Sequence, residues 1–106
     1  MIVHTLLYKF PESAAKAEVD EFFSAMRKVA MGTGLVHRFD LKPHLALPAD
    51  QGARGLTAAT IVQFSTENLA ALQKFSELPE VFDFITDWKA RLDFEAAYAN
   101  HEALDV

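Results

Sequence analysis

The chain contains no cysteine, which excludes disulfide frameworks, thiolate nucleophiles and cysteine-bound metal centres. No apolar run approaches the length of a membrane span. Positive charge is also scarce: ten Lys and Arg stand against fifteen Asp and Glu, a net charge of −5. The basic residues are scattered rather than gathered on one stretch, so neither nucleic acid nor an anionic membrane surface is an expected partner. A basic leader ending in small residues is missing as well, and a cytoplasmic protein is the expectation. Glycine and proline, four of each, are too few for a low-complexity segment and serve as punctuation. At 106 residues, 51% of them apolar, the chain reads as one globular domain over 1–106, with no internal repeat or linker.

Its most informative segment is the first, MIVHTLLYKF, which reads as a strand that is apolar on both faces. Side chains alternate across a strand. Ile2, His4, Leu6, Tyr8 and Phe10 therefore share one face, and Val3, Thr5, Leu7 and Lys9 the other. A chain this short can cover one face of a sheet with its own helices. The other face, carrying Val3, Thr5, Leu7, Thr57, Ala59 and Ile61, then calls for a second copy of the same chain, so a homodimer is expected.

Further along, Pro11 and Ser13 interrupt the alternation and open a helix whose apolar stripe is Val19, Phe22, Phe23, Met26, Val29 and Ala30. Gly32 and Gly34 end it. A strand follows in LVHRFDL, with His37, Phe39 and Leu41 on one face and Val36, Arg38 and Asp40 on the other, the polar set marking a sheet edge. Residues 43–55 form a long irregular loop. A third strand is read in LTAATIVQF, and Ser65 or Thr66 is placed to cap a helix presenting Leu69, Leu72 and Phe75. Pro79 interrupts that helix and starts another, with Val81, Ile85, Trp88 and Leu92 on its apolar face. The last strand is read in RLDFEAAYA; alternatively the helix runs to about residue 94 and a shorter strand follows. The order β-α-β-β-α-α-β is an α+β, ferredoxin-like split βαβ plan: a four-stranded antiparallel sheet with helices on one face.

Four histidines are present: His4, His37, His44 and His101. In this plan the third strand separates the first from the second, so His4 and His37 lie roughly 10 Å apart at two strand spacings. No His-x-His or His-x-x-x-His pairing occurs, and no metal site is expected. His4 is the one titratable group on an otherwise apolar face. Burial would keep it neutral and competent as a general base, the alternative being a core histidine satisfied by one hydrogen bond. The indole N–H of Trp88 needs a partner, which suggests a place at the lip of a cavity.

The opening Met-Ile-x-His, closed by an aromatic residue, Lys and Phe, resembles the stress-responsive dimeric A/B-barrel family. The likeness continues at matching spacing through Glu21-Phe22-Phe23, Val62-Gln63-Phe64, and Phe75 followed four residues later by Pro79. It implies a ferredoxin-like homodimer in which two four-stranded sheets form a barrel with helices outside. The family includes plant stress proteins and a plant polyketide cyclase, and related α/β-barrel families hold cofactor-free monooxygenases. The cyclase works in a pocket between sheet and helices. Its helix tyrosine, the histidine after the proline and a strand-three histidine fall here on Phe75, Val81 and Ala58, which lack hydroxyl and imidazole. His4, the Phe22-Phe23 pair and Trp88 match, and Glu95 falls near the cyclase's terminal-strand carboxylate. The resemblance thus implies a ligand pocket lined by Tyr8, Phe22, Phe23, Met26, Thr60, Phe75, Val81 and Trp88, with His4 as the candidate catalytic group and no cofactor. The expected ligand is small and apolar or aromatic. A binding module, a cofactor-free enzyme with Tyr8 or Trp88 orienting the substrate, and a purely structural dimer remain the alternatives.

Overall fold

The computed structural model describes residues 1–104 and places the first strand in the interior of a sheet. β1 (Ile2–Lys9) is followed by α1 (Lys16–Gly32), β2 (Val36–Pro43), β3 (Thr60–Thr66), α2 (Leu69–Glu77), α3 (Pro79–Leu92) and β4 (Glu95–Glu102). The strand order is β2-β3-β1-β4, and every neighbouring pair is antiparallel. This is the ferredoxin-like arrangement expected from the element order, with β3 between β1 and β2 and with β2 at an edge.

Alternation decides which side of the sheet is covered. Thr60, Val62, Phe64 and Thr66 of β3 are buried, while Ile61, Gln63 and Ser65 between them are exposed or half-buried. Tyr8 and Phe39 join the buried set and meet Phe22, Phe23, Phe75, Val81, Trp88 and Leu92 from the helices. Phe22, 1% exposed, is the hub. Its ring lies 5.6 Å from Tyr8, 5.4 Å from Trp88 and 5.1 Å from Phe94. Full burial of one such side chain contributes roughly 1.5–3 kcal/mol, with about 0.5–1.5 kcal/mol more for each well-placed aromatic pair.

Local departures from the sequence reading each have a cause. The strict alternation read into the second strand does not hold: a bulge between Val36 and Arg38 inserts a residue. Val36 and Phe39 are therefore both buried, and His37 turns outward within 3.5 Å of Glu67. Ser13 does not cap α1, which starts at Lys16 after Ala15. Neither Ser65 nor Thr66 caps α2, because both remain in β3; Asn68 does so, accepting from the Ala71 N–H at 2.9 Å. Regular pairing in β3 begins at Thr60 rather than Leu56, although the Ala59 N–H already donates to the Tyr8 carbonyl at 2.7 Å. Thr57 thus lies outside the sheet face on which it was expected. Past α1, Gly34 takes φ +75°, a left-handed turn open to glycine, and aims the chain into β2.

At the other end, Asp93 takes the left-handed conformation (φ 49°), and its N–H donates to the Lys89 carbonyl at 2.8 Å. Asp tolerates that conformation better than most residues. The helix stops at Leu92 and the strand starts at Glu95, which is the second of the two readings open at that boundary. Among the described residues no helix is long and apolar enough to cross a membrane.

Candidate functional site

On the helix-covered side a cavity of about 470 Å³ remains between the sheet and the helices, within the range of small-molecule sites. The sheet contributes His4, Tyr8, Phe39, Phe64, Tyr98 and Asn100 to its wall. Met26, Phe75, Val81, Ile85 and Lys89 come from the helices. β4 is an edge strand, and Tyr98 on it is 66% exposed, so the cavity opens along that edge.

Strand register builds the polar end. His4 stands directly opposite Phe64 on β3 and Asn100 on β4, and directly opposed side chains on one face lie within contact distance. Its imidazole is flanked by Phe64 at 4.9 Å and Tyr98 at 5.0 Å. Nδ1–H donates to Asn100 Oδ1 at 2.5 Å, which leaves Nε2 as the unprotonated nitrogen. Burial pushes the His4 pKa below 6.5; the Asn100 hydrogen bond opposes that shift, and nearby His101 adds to it. His4 is therefore a neutral imidazole with one nitrogen occupied and one lone pair free. Such a group can accept a proton or a hydrogen bond.

Tyr8 is different. Its hydroxyl makes only a weak contact with Met26 Sδ at 4.0 Å, and burial pushes its pKa up. It packs as an aromatic ring and holds its proton, which removes it as a base at neutral pH.

Of the residues expected in the pocket, the structure brings together His4, Tyr8, Met26, Phe75 and Val81. Phe22, Phe23, Thr60 and Trp88 do not line it. Phe22 and Phe23 are consumed by the aromatic core with Tyr8 and Phe10. Thr60 is buried where the sheet meets the β2–β3 loop. Trp88 is 7% exposed and packs against Phe22 with the Arg91 guanidinium 3.9 Å above its ring, so it is not at a cavity lip. Glu95 pairs with Lys9 at the start of β4 and does not line the cavity.

The sequence reading missed Tyr98, Asn100, Ile85 and Lys89. Had β4 been taken through Asn100, parity alone would have set Tyr98 and Asn100 on the face of His4. Of the other histidines, His44 is bound to Asp50 at 2.7 Å, and His101 lies on the opposite sheet face. Among the described residues no three His, Asp or Glu side chains converge as metal ligands would.

No protein-family model matches the chain, and no curated protein does. Solved structures do match over nearly the whole length. Hydroxynitrile lyase from Passiflora edulis is 10% identical, with 99% of this chain and 94% of that one covered at a TM-score of 0.82. A variant of SnoaB, a cofactor-independent oxygenase from Streptomyces nogalater, is 12% identical over 99% and 94%, with a TM-score of 0.77. A dimeric ferredoxin-like protein of unknown function from Thermobifida fusca is 13% identical over 96% and 90%, with a TM-score of 0.73. The chain therefore has the ferredoxin-like fold, the fold expected from the order of its elements.

Proposed function

We propose that the protein is a homodimeric A/B-barrel domain that binds a small apolar or aromatic molecule between its sheet and its helices. The observation that carries this reading is the aromatic-lined cavity of about 470 Å³ with half-buried His4 in its wall. Apolar walls with a few convergent polar groups are the usual make-up of a ligand site. The dimer rests on the uncovered sheet face, where Leu7 is 42% and Ile61 37% exposed beside Val3, Ala97 and Ala99. The similar Thermobifida fusca protein is itself dimeric. Thermal-shift and NMR titration against aromatic and polyketide-like compounds tests the pocket, and sedimentation at micromolar concentration tests the dimer. Binding with shifts at His4, Phe64 and Tyr98 supports the reading. A protein that is monomeric, or that binds none of these compounds, contradicts it.

A second reading, cofactor-free acid–base catalysis with His4 as the base, is favoured by one observation. Asn100 occupies Nδ1 and burial holds the ring neutral, so Nε2 is available to take a proton from a bound C–H or O–H acid. Two of the similar folds belong to a hydroxynitrile lyase and a cofactor-independent oxygenase. With Phe75 and Val81 on the helices and the Tyr8 hydroxyl held in its protonated form, one base, shape and desolvation are the means at hand. Turnover that survives unchanged in a His4→Ala variant excludes this reading and leaves the binding module.

A further inference from the structure

The cavity has a second polar end, away from His4, and its charge specifies the ligand. Lys89 is the one Lys, Arg, Asp or Glu among the described residues lining the cavity. Its ammonium donates to the Phe94 carbonyl and lies 5.0 Å from the centre of the Phe94 ring. Those contacts hold Nζ at the α3–β4 junction while using one of its three donors. Among the described residues Lys89 enters no ion pair; its neighbour Arg91 is taken by Glu18 at 3.6 Å. Thr86, three residues earlier and hence on the same side of α3, also lines the cavity.

Register gives the spacing. Phe94 packs 5.4 Å from Tyr8, whose strand partner is Ala96, whereas His4 is opposite Asn100. Four residues of strand therefore separate His4 from Tyr8, about 13 Å at 3.3 Å per residue, and Lys89 reaches the Tyr8 end through Phe94. Between the two ends the sheet presents Leu6 and Tyr98, with Phe64 beside His4.

We infer that the pocket takes an elongated aromatic or apolar acid, its anionic group on Lys89 and its far end against His4. This rests on the pocket reading above and names the ligand class. An ammonium with donors to spare, and no ion pair among the described residues, at one end of an otherwise apolar trough is matched by a carboxylate, which forms an ion pair there where a neutral amide of the same shape gives only a charge–dipole hydrogen bond. Because the chain as a whole is acidic, at −5, general surface charge repels such a ligand. Selectivity for the acid must then come from the local cation.

The test compares para-biphenylacetate with para-biphenylacetamide by NMR titration of the full chain, in the wild type and in Lys89→Met and Lys89→Arg variants. We expect the acid to bind about fivefold or more tighter than the amide, the size of a partly exposed ion pair. Lys89→Met should reduce the acid to the level of the amide and leave the amide unchanged, and Lys89→Arg should restore the preference. Equal binding of acid and amide by the wild type overturns the Lys89 assignment while the pocket stands. Equal loss of both ligands in Lys89→Met overturns it too, since Lys89 would then only hold the α3–β4 junction. Binding of neither compound by the folded wild type overturns the pocket reading together with this one.

Discussion

The two faces of the sheet carry depressions of nearly equal size, about 470 Å³ on the helix side and about 480 Å³ on the open side, and a histidine in each. The helix-side hollow is roofed by Met26, Phe75, Val81 and Ile85. The open-side hollow is lined by Arg38, Asp40, Gln63, Ser65 and His101 with little above them. The histidines differ in the same sense. His101 has both ring nitrogens engaged, Nδ1 donating to the Glu102 carbonyl and Nε2 accepting from Thr5 Oγ1, each at 2.7 Å. Gln63 in turn donates to Thr5 Oγ1 at 3.0 Å. His4 has one nitrogen engaged and one free. Volume therefore does not distinguish a ligand site from an interface; the difference lies in what covers the hollow and whether its polar groups are already satisfied. A closed chain of hydrogen bonds on a flat, half-apolar face suits a surface to be buried against a second copy, because a buried polar group costs little once paired.

The largest expected effect breaks the helix side. If the catalytic reading holds, His4→Ala lowers turnover by about 10²–10⁴-fold, the usual contribution of a general base, with the dimer unchanged in sedimentation. Next comes the open side. Leu7→Asp puts an unpaired charge into the proposed dimer interface at a cost of about 3 kcal/mol or more, which raises the dimer dissociation constant by roughly two decades. Ligand binding on the far side of the sheet should be affected much less.

These two predictions separate what could be read from the chain from what could not. The two-faced β1 was legible because a run of ten residues with so little polarity admits few other readings, and strand order followed from the sequence of elements. Most of the helical side of the core was legible too, since Phe22, Phe23, Leu72 and Phe75 fall at helical spacing. The pocket lining was not. Whether Phe22 or Ile85 meets the cavity depends on how helices cross the sheet, and that angle is set by packing rather than by periodicity. Trp88 shows the limit: its need for a polar neighbour suggested a cavity lip, yet the Arg91 guanidinium covers its ring and the indole stays in the core. Asn100 was hidden by an uncertain strand end, and His37 by a one-residue bulge that no alternation pattern announces.

A smaller effect sharpens the open face. Thr5→Val removes the middle of the Gln63–Thr5–His101 chain and leaves both partners unsatisfied in the proposed interface, at about 1–3 kcal/mol. Analytical ultracentrifugation should show weaker dimerisation at unchanged ligand affinity. Stability against pH reports on the helix side. The folded-state pKa of His4 lies below its ordinary 6.5, so between the two values the unfolded chain binds a proton that the folded chain does not, and stability rises with pH there. The contribution is fully present above about pH 6.5 and is lost as pH falls through the folded value. Melting temperatures of wild type and His4→Gln should accordingly converge on acidification. Smallest of all is Tyr8→Phe. With only a 4.0 Å contact to Met26 sulfur to lose, it should change stability and any turnover within about 0.5 kcal/mol.

The most direct test of the claim that the helix side holds the ligand and the open side the partner is a crystal structure of the protein with para-biphenylacetate. The account predicts a dimer joined through Leu7 and Ile61, with the rings between Phe64, Tyr98 and Ile85 and the carboxylate at Lys89. A ligand seated instead in the open-side hollow beside His101 and Arg38, on a face left free of any partner, would contradict it.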